Sequence, residues 1–166
     1  MRTDKIYLVG FMAAGKTTVA RALGARLGWA AEDVDERIEA RERMAVADIF
    51  ARRGEAYFRA VEQAVLLGLL GPRHLVVATG GGTFSDPVNR AAINQDGMSV
   101  WLDVPLDELL ARLPVDGRRP LAASLSEFET LYTMRRSAYQ QAHLRIDASR
   151  APAAELVERV LDSLGY

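Results

Sequence analysis

The 166-residue sequence contains no cysteine, so disulfides, thiolate metal sites and a cysteine nucleophile are all excluded. Histidine is nearly absent as well: His74 and His143 alone cannot build a histidine-rich zinc site. Any metal must therefore be held by oxygen, which suits Mg²⁺ with its preference for carboxylates, hydroxyls, waters and substrate phosphates. Lysine is confined to Lys5 and Lys16, every other basic residue being arginine. Neither sign of charge prevails, 21 Lys+Arg standing against 22 Asp+Glu for a formal net charge of -1. Nothing in that balance draws the chain to nucleic acid or to an anionic membrane surface. No run approaches the roughly 20 apolar residues that a bilayer-spanning helix needs. Arg2 and Lys5 ahead of the apolar run Ile6 to Ala14 imitate a secretory signal, but the run is short and Asp4 interrupts its basic end. The expectation is a cytoplasmic protein.

What the sequence does have, 49% hydrophobic and 26% charged residues, is ordinary globular composition. Its length suits one domain spanning 1–166. Short apolar or β-branched runs alternate with stretches of helical period, the pattern of an α/β fold with a parallel sheet. The expected strands are Lys5 to Val9, Trp29 to Glu32, His74 to Ala78, Ser99 to Asp103 and Leu144 to Asp147. Helical stripes run through Val19, Leu23 and Leu27; Phe58, Val61, Val65 and Leu69; Leu106, Leu109, Leu110 and Leu113; and Val157, Val160, Leu161 and Leu164. Pro114, Gly117 and Pro120 oppose a continuous helix, so Pro114 to Ser126 reads as a mobile loop. No heptad seam is present, and a monomer is expected.

Gly10-Phe11-Met12-Ala13-Ala14-Gly15-Lys16-Thr17 matches G-x-x-x-x-G-K-[ST] in full, between an expected strand and an expected helix. Glycines let backbone N–H groups turn toward phosphate oxygens, and the following helix N-terminus adds unpaired donors and the positive end of its dipole. The nucleotide contacts are therefore assigned to Gly10, Ala13, Ala14, Gly15, Lys16, Thr17 and Thr18. Lys16 is expected to bridge the β- and γ-phosphates, and Thr17 to present its hydroxyl to Mg²⁺. The loop does not reveal the acceptor, since NTPases, kinases and nucleotide-gated switches share it.

Asp33-Val34-Asp35 follows the second expected strand and sits where ligands of α/β folds gather. Alternation aims the two carboxylates at different targets, one at the metal shell beside Thr17 and one at an acceptor hydroxyl. The competing reading is that one of them caps the next helix.

Taken with further landmarks in order, the chain resembles the shikimate kinase family. Those landmarks are Ile38-Glu39, Ala47-Asp48-Ile49-Phe50, Gly54-Glu55, Phe58-Arg59 with Glu62, Gly80-Gly81-Gly82, Arg119-Pro120-Leu121, and Arg135 four residues before Tyr139. The resemblance implies a P-loop, three-layer α/β fold like that of nucleoside monophosphate kinases: a five-stranded parallel sheet flanked by helices, with a mobile lid near 112–126. It implies transfer of the γ-phosphoryl group of ATP to the 3-hydroxyl of shikimate, with Mg²⁺ held by Thr17 and Asp33. It makes Lys16, Asp35 and Arg119 the catalytic residues, and Asp35, Arg59, Gly80, Gly81, Gly82 and Arg135 the shikimate contacts. Arg112 and Arg150 match the adenine side by position, and Arg119 matches the lid arginine. Spacing to Tyr139 favours Arg135 over the adjacent Arg136.

Elementary chemistry points the same way, since guanidinium groups grip a carboxylate in paired planar hydrogen bonds that lysine cannot match. The competing reading for Arg59 is a helix-surface pair with Glu55 or Glu62. Ala13 stands where the family often has glycine, Glu32 where relatives are apolar or aromatic, and no proline follows Arg135 in its motif. Two other functions share the loop: a small kinase for another carboxylate-bearing polyol such as gluconate, and a non-catalytic nucleotide-binding module.

Overall fold

The apolar run Lys5–Val9 forms β1, buried along its whole length at the centre of a five-stranded parallel sheet. With β2 (Ala30–Asp33), β3 (Leu75–Ala78), β4 (Met98–Asp103) and β5 (Leu144–Asp147), the strand order is β2-β3-β1-β4-β5. The computed structural model describes residues 2–113 and 124–166. Arg119 and most of the segment expected to be a loop therefore lie outside the described residues.

The five expected strands are all present, with small shifts at their ends. β2 runs one residue later than expected and so includes Asp33. It is an edge strand, half open to solvent, which explains how Glu32 is accommodated: its carboxylate pairs with Arg37 at 2.8 Å. His74 precedes β3 in a left-handed backbone conformation, and β4 gains Met98. β3 and β4 are almost wholly buried, as strands covered on both faces must be.

Eight helices are described: α1 (Lys16–Leu27), α2 (Val34–Glu42), α3 (Val46–Arg53), α4 (Glu55–Leu69), α5 (Pro87–Asp96), α6 (Leu106–Arg112), α7 (Leu125–Tyr139) and α8 (Ala153–Leu164). Their periodic stripes supply the core, through Val19 and Leu23, Phe58 to Leu69, Leu109, and Val157 to Leu164. Two boundaries differ from expectation. Leu113 lies beyond the end of α6. Leu125 and Ser126, expected in the loop, open α7, because the Ser124 hydroxyl accepts from the Glu127 N–H and caps the helix.

The register fixes where chemistry can occur. Leu8 is level with Ala78, and Ala78 with Asp33. The first residues past these strands, Gly10, Thr79-Gly80 and Val34-Asp35, therefore emerge together at the carboxyl edge of the sheet, where β1 has partners on both sides.

Candidate active site

The loop after β1 turns through Gly10 (φ 150°), Ala13 (φ 64°) and Gly15 (φ 91°). A side chain on Gly10 would stand 2.9 Å from the Leu102 carbonyl oxygen, so the strand-to-loop turn admits only glycine. Ala13 holds a left-handed conformation, the physical reason a glycine suits that position. Lys16, only 8% exposed, curls over the loop and donates to the Gly10 and Phe11 carbonyls at 2.7 and 2.9 Å. Burial lowers its pKa to about 8, with Asp35 opposing the shift and Arg135 adding to it. A cavity of about 280 Å³ lies over the loop, bounded by Ala13 to Thr18 and by Asp33 and Asp35.

Asp33 caps α2 and also reaches Thr17, so neither of the two readings the sequence offered excludes the other. One carboxylate oxygen accepts from the Glu36 N–H at 2.9 Å and caps α2; the other accepts from the Thr17 hydroxyl. These are two hard oxygen ligands side by side in the phosphate cavity, and the donor set suits Mg²⁺. Among the described residues there is no cluster of three or more carboxylates or histidines for a metal. That fits an ion that takes one or two protein oxygens and completes its shell with phosphates and water.

Asp35 lies on the first turn of α2 and lines both the phosphate cavity and a second one of about 290 Å³. Among the described residues none donates a hydrogen bond to its carboxylate. Burial raises its pKa to about 6; the charges of Asp33, Glu62 and Glu39 add to the shift, while Lys16 opposes it.

The second cavity has an apolar wall that includes Val46, Phe50 and Phe58, and a polar end formed by Arg59, Arg135 and the Gly80 to Gly82 loop. Arg59 makes the ion pairs that the competing reading predicted, 2.9 Å to Glu62 and 3.6 Å to Glu55, and still lines the cavity. Arg135 is 6% exposed and lies over the Phe11 ring. Among the described residues no carboxylate comes within salt-bridge distance of it. Burial, with Arg59 nearby, holds its pKa below the usual guanidinium value against the pull of Tyr139, Glu62 and Glu55. A side chain on Gly82 would sit 2.6 Å from Arg59 Nη2 and 2.9 Å from Arg135 Nη2. The two guanidiniums thus converge where only a glycine leaves them room, and their chemistry suits a small anion.

Arg112 donates to the Ala13 carbonyl at 3.2 Å, beside the phosphate loop, and Glu108 accepts both from Arg112 at 3.5 Å and from the Arg150 N–H at 3.0 Å. The two arginines expected on the adenine side are thereby drawn together. Arg136 is not in the acceptor cavity; it pairs with Asp103.

Three contributors escaped the sequence reading as site residues. Glu62 is 1% exposed and bridges Arg59 to the Thr83 hydroxyl at 2.9 Å, fixing the glycine loop to α4. Its signal was available: a carboxylate inside the apolar stripe of a helix. Tyr139 donates to the Gly81 carbonyl, and Glu108 organises the adenine side. Their roles depend on long-range packing: Tyr139 was visible only as a spacing landmark for Arg135, and Glu108 left no local pattern.

The family profile described as shikimate kinase matches residues 12–165. The shikimate kinase of Persephonella marina is 38% identical over 157 residues, covering 94% of this chain and 96% of the relative. That of Synechococcus elongatus is 42% identical over 162 residues, covering 95% and 84%. Among solved structures, the shikimate kinase of Acinetobacter baumannii in complex with shikimate superposes with a TM-score of 0.93 at 36% identity, covering 97% of this chain and 92% of that one.

Proposed function

The chain belongs to the shikimate kinase family, and from that premise we propose how its residues carry out the family's reaction. The enzyme transfers the γ-phosphoryl group of ATP to the 3-hydroxyl of shikimate, giving shikimate 3-phosphate and ADP on the route to chorismate and the aromatic amino acids.

In our reading the cavity over the phosphate loop takes the nucleotide and the cavity beside it takes shikimate. Arg59 and Arg135 grip the shikimate carboxylate in charge-assisted hydrogen bonds, and the Gly80 to Gly82 backbone lies along the ring. The observation that carries this reading is the wall the two cavities share, formed by Met12, Asp35 and Gly81. An acceptor hydroxyl and a terminal phosphate meet there, with Asp35 between them.

Phosphoryl transfer has a loose transition state, so the work of the protein is alignment and charge neutralisation. Asp35, with a pKa near 6 and no competing donor among the described residues, accepts the proton of the attacking hydroxyl. Lys16 exchanges its two carbonyl partners for phosphate oxygens, and the backbone N–H groups of Gly15 to Thr18 hold the nucleotide. Thr17 and Asp33 would hold Mg²⁺, which when bound neutralises phosphate charge. Arg112 and Arg150 flank the adenine; Arg119, which the resemblance makes the lid arginine, lies outside the described residues. We assign the protein to a single domain, monomeric and cytoplasmic, with no nucleic-acid or membrane partner. Its near-zero net charge favours neither nucleic acid nor an anionic membrane surface as a partner, and among the described residues no helix is long and apolar enough to cross a membrane.

The test is ADP release from Mg·ATP with shikimate, with gluconate and with no acceptor. Release that depends on shikimate is expected. Equal release without acceptor, or release with gluconate alone, would withdraw the acceptor-site assignments.

A further inference from the structure

Arg135 is an energetically awkward residue: a buried guanidinium, beside a second one, with no carboxylate in reach among the described residues. An isolated side chain in that setting would turn toward solvent or toward Glu55 and Glu62. Something else in the fold must hold its backbone so that the cation stays in the acceptor cavity. The neighbouring residue on α7 supplies that hold.

Arg136 points about 100° around the helix from Arg135. Its Nη1 donates to Asp103 Oδ1 at 2.8 Å and to the Tyr132 hydroxyl at 2.9 Å. Its guanidinium lies over the Trp101 ring at 4.9 Å and the Tyr132 ring at 5.5 Å. Asp103, 7% exposed, ends β4, and its other oxygen accepts from Arg145 Nε on β5 at 2.8 Å. One turn before Arg136, the Tyr132 hydroxyl donates to the Val104 carbonyl at 3.2 Å and its ring meets Phe11 of the phosphate loop edge-on at 5.4 Å. The turn of α7 from Tyr132 to Arg136 is therefore fastened to the end of β4, the strand whose Leu102 carbonyl abuts Gly10. Arg135 lies inside that fastened turn.

We propose that Arg136 is a positioning residue for the kinase reaction: its pair with Asp103 fixes the rotation of α7 that keeps Arg135, which has no carboxylate within salt-bridge distance among the described residues, aimed at the acceptor carboxylate. This inference rests on Arg135 being a carboxylate ligand, as argued above. A pair of this kind, a buried carboxylate shared by two partly exposed arginines, is retained for geometry more than for stability.

The experiment compares steady-state kinetics and melting temperature for Arg136→Ala, Arg136→Lys, Arg145→Ala and Arg135→Ala in the full chain. Arg136→Ala should raise the KM for shikimate about tenfold while kcat and the KM for ATP stay within about threefold. Arg136→Lys, which still reaches Asp103, should recover most of that loss. Arg145→Ala removes the other partner of Asp103 without freeing α7 and should leave the shikimate KM alone. If Arg136→Ala does not fold, Arg136→Gln takes its place with the same expectation. A shikimate KM within about twofold of wild type in the variant that folds would overturn the proposal, as would equal effects on both substrates, the mark of a general structural defect. Arg135→Ala separates the two levels: if it leaves the shikimate KM unchanged the ligand assignment itself fails, whereas a large effect there with none at Arg136 defeats the positioning role alone.

Discussion

Asp35 shows how a single side chain exchanges stability for reactivity. The carboxyl has lost water, faces Asp33, Glu62 and Glu39, and is pushed up to about 6, near the working range of a general base. Since the unfolded carboxyl titrates near 3.9, the folded protein still holds a proton between roughly pH 4 and 6 that the unfolded chain has released. The ionised Asp35 therefore destabilises the fold, fully above about pH 6 and not at all below about pH 4, by something on the order of 3 kcal/mol. Replacing it with asparagine is expected to raise the melting temperature at pH 7.5 while lowering kcat by about a thousandfold, with ATP affinity within a few-fold. In the wild type, kcat/KM for shikimate should fall below about pH 6 as Asp35 takes up its proton. Scanning calorimetry and a pH–rate profile check both halves. Near-normal turnover in Asp35→Asn would remove the base role.

At the scale of elements, the site is made where strand ends, helix starts and a glycine loop meet, and the Gly80 to Gly82 segment sets its spacing. Gly82 has an ordinary negative φ of -102°, so an added methyl group meets no backbone strain. It would meet the ends of two flexible guanidiniums, 2.6 Å from Arg59 and 2.9 Å from Arg135. Gly82→Ala is therefore expected to fold with a stability within about 1 kcal/mol of wild type. It should raise the shikimate KM about tenfold or more by displacing both arginines. Equilibrium denaturation and steady-state kinetics on one preparation test the split, and an unchanged KM would mean that the arginines do not act together. The strands and four of the eight described helices were legible in the sequence, whereas no apolar stripe marked α2, α3, α5 or α7. All five strands and the phosphate loop followed from local apolar runs and one motif. The strand ends shifted by a residue because hydrogen-bond registers, such as Asp33 with Ala78, are set by neighbours far away in the chain. The twofold role of Asp33 was visible only as two competing readings, since capping and contact with Thr17 use different oxygens of one group. Of Arg135 and Arg136, α7 brings only Arg135 to the second cavity, because adjacent helical residues face different surroundings.

On the scale of the whole molecule, the carboxyl edge of the sheet carries the chemistry, and a separate polar cluster closes the opposite edge. Lys5, fully buried at the start of β1, donates to the Leu69 carbonyl and pairs with Asp96 at 2.6 Å. The Tyr7 hydroxyl donates to the same carboxylate at 2.5 Å, and Arg73 binds its other oxygen at 2.8 Å. Asp96 lies in the last turn of α5, where a negative charge opposes the helix dipole, so its partners offset both burial and dipole. Burial pushes the Asp96 carboxyl up, but hydrogen bonds from Lys5 and Tyr7 and the charges of Lys5 and Arg73 hold it below the usual carboxylate range. A depressed carboxyl contributes stability that is present above its unfolded pKa and lost as pH falls through its lowered folded value. The sign is opposite to that of Asp35. Asp96→Asn leaves Lys5 buried without its counter-ion and is expected to cost about 3 kcal/mol at pH 7. The difference from wild type should begin to shrink as pH drops below about 4 and be lost once pH falls through the lowered folded value, where both chains carry an uncharged group at this position. Because the cluster lies a full strand length from Asp35, kcat and both KM values should stay within about twofold. Urea unfolding at several pH values, with kinetics on the same variant, decides the matter. A loss of activity in the fully folded variant would show that the two edges of the sheet are coupled after all.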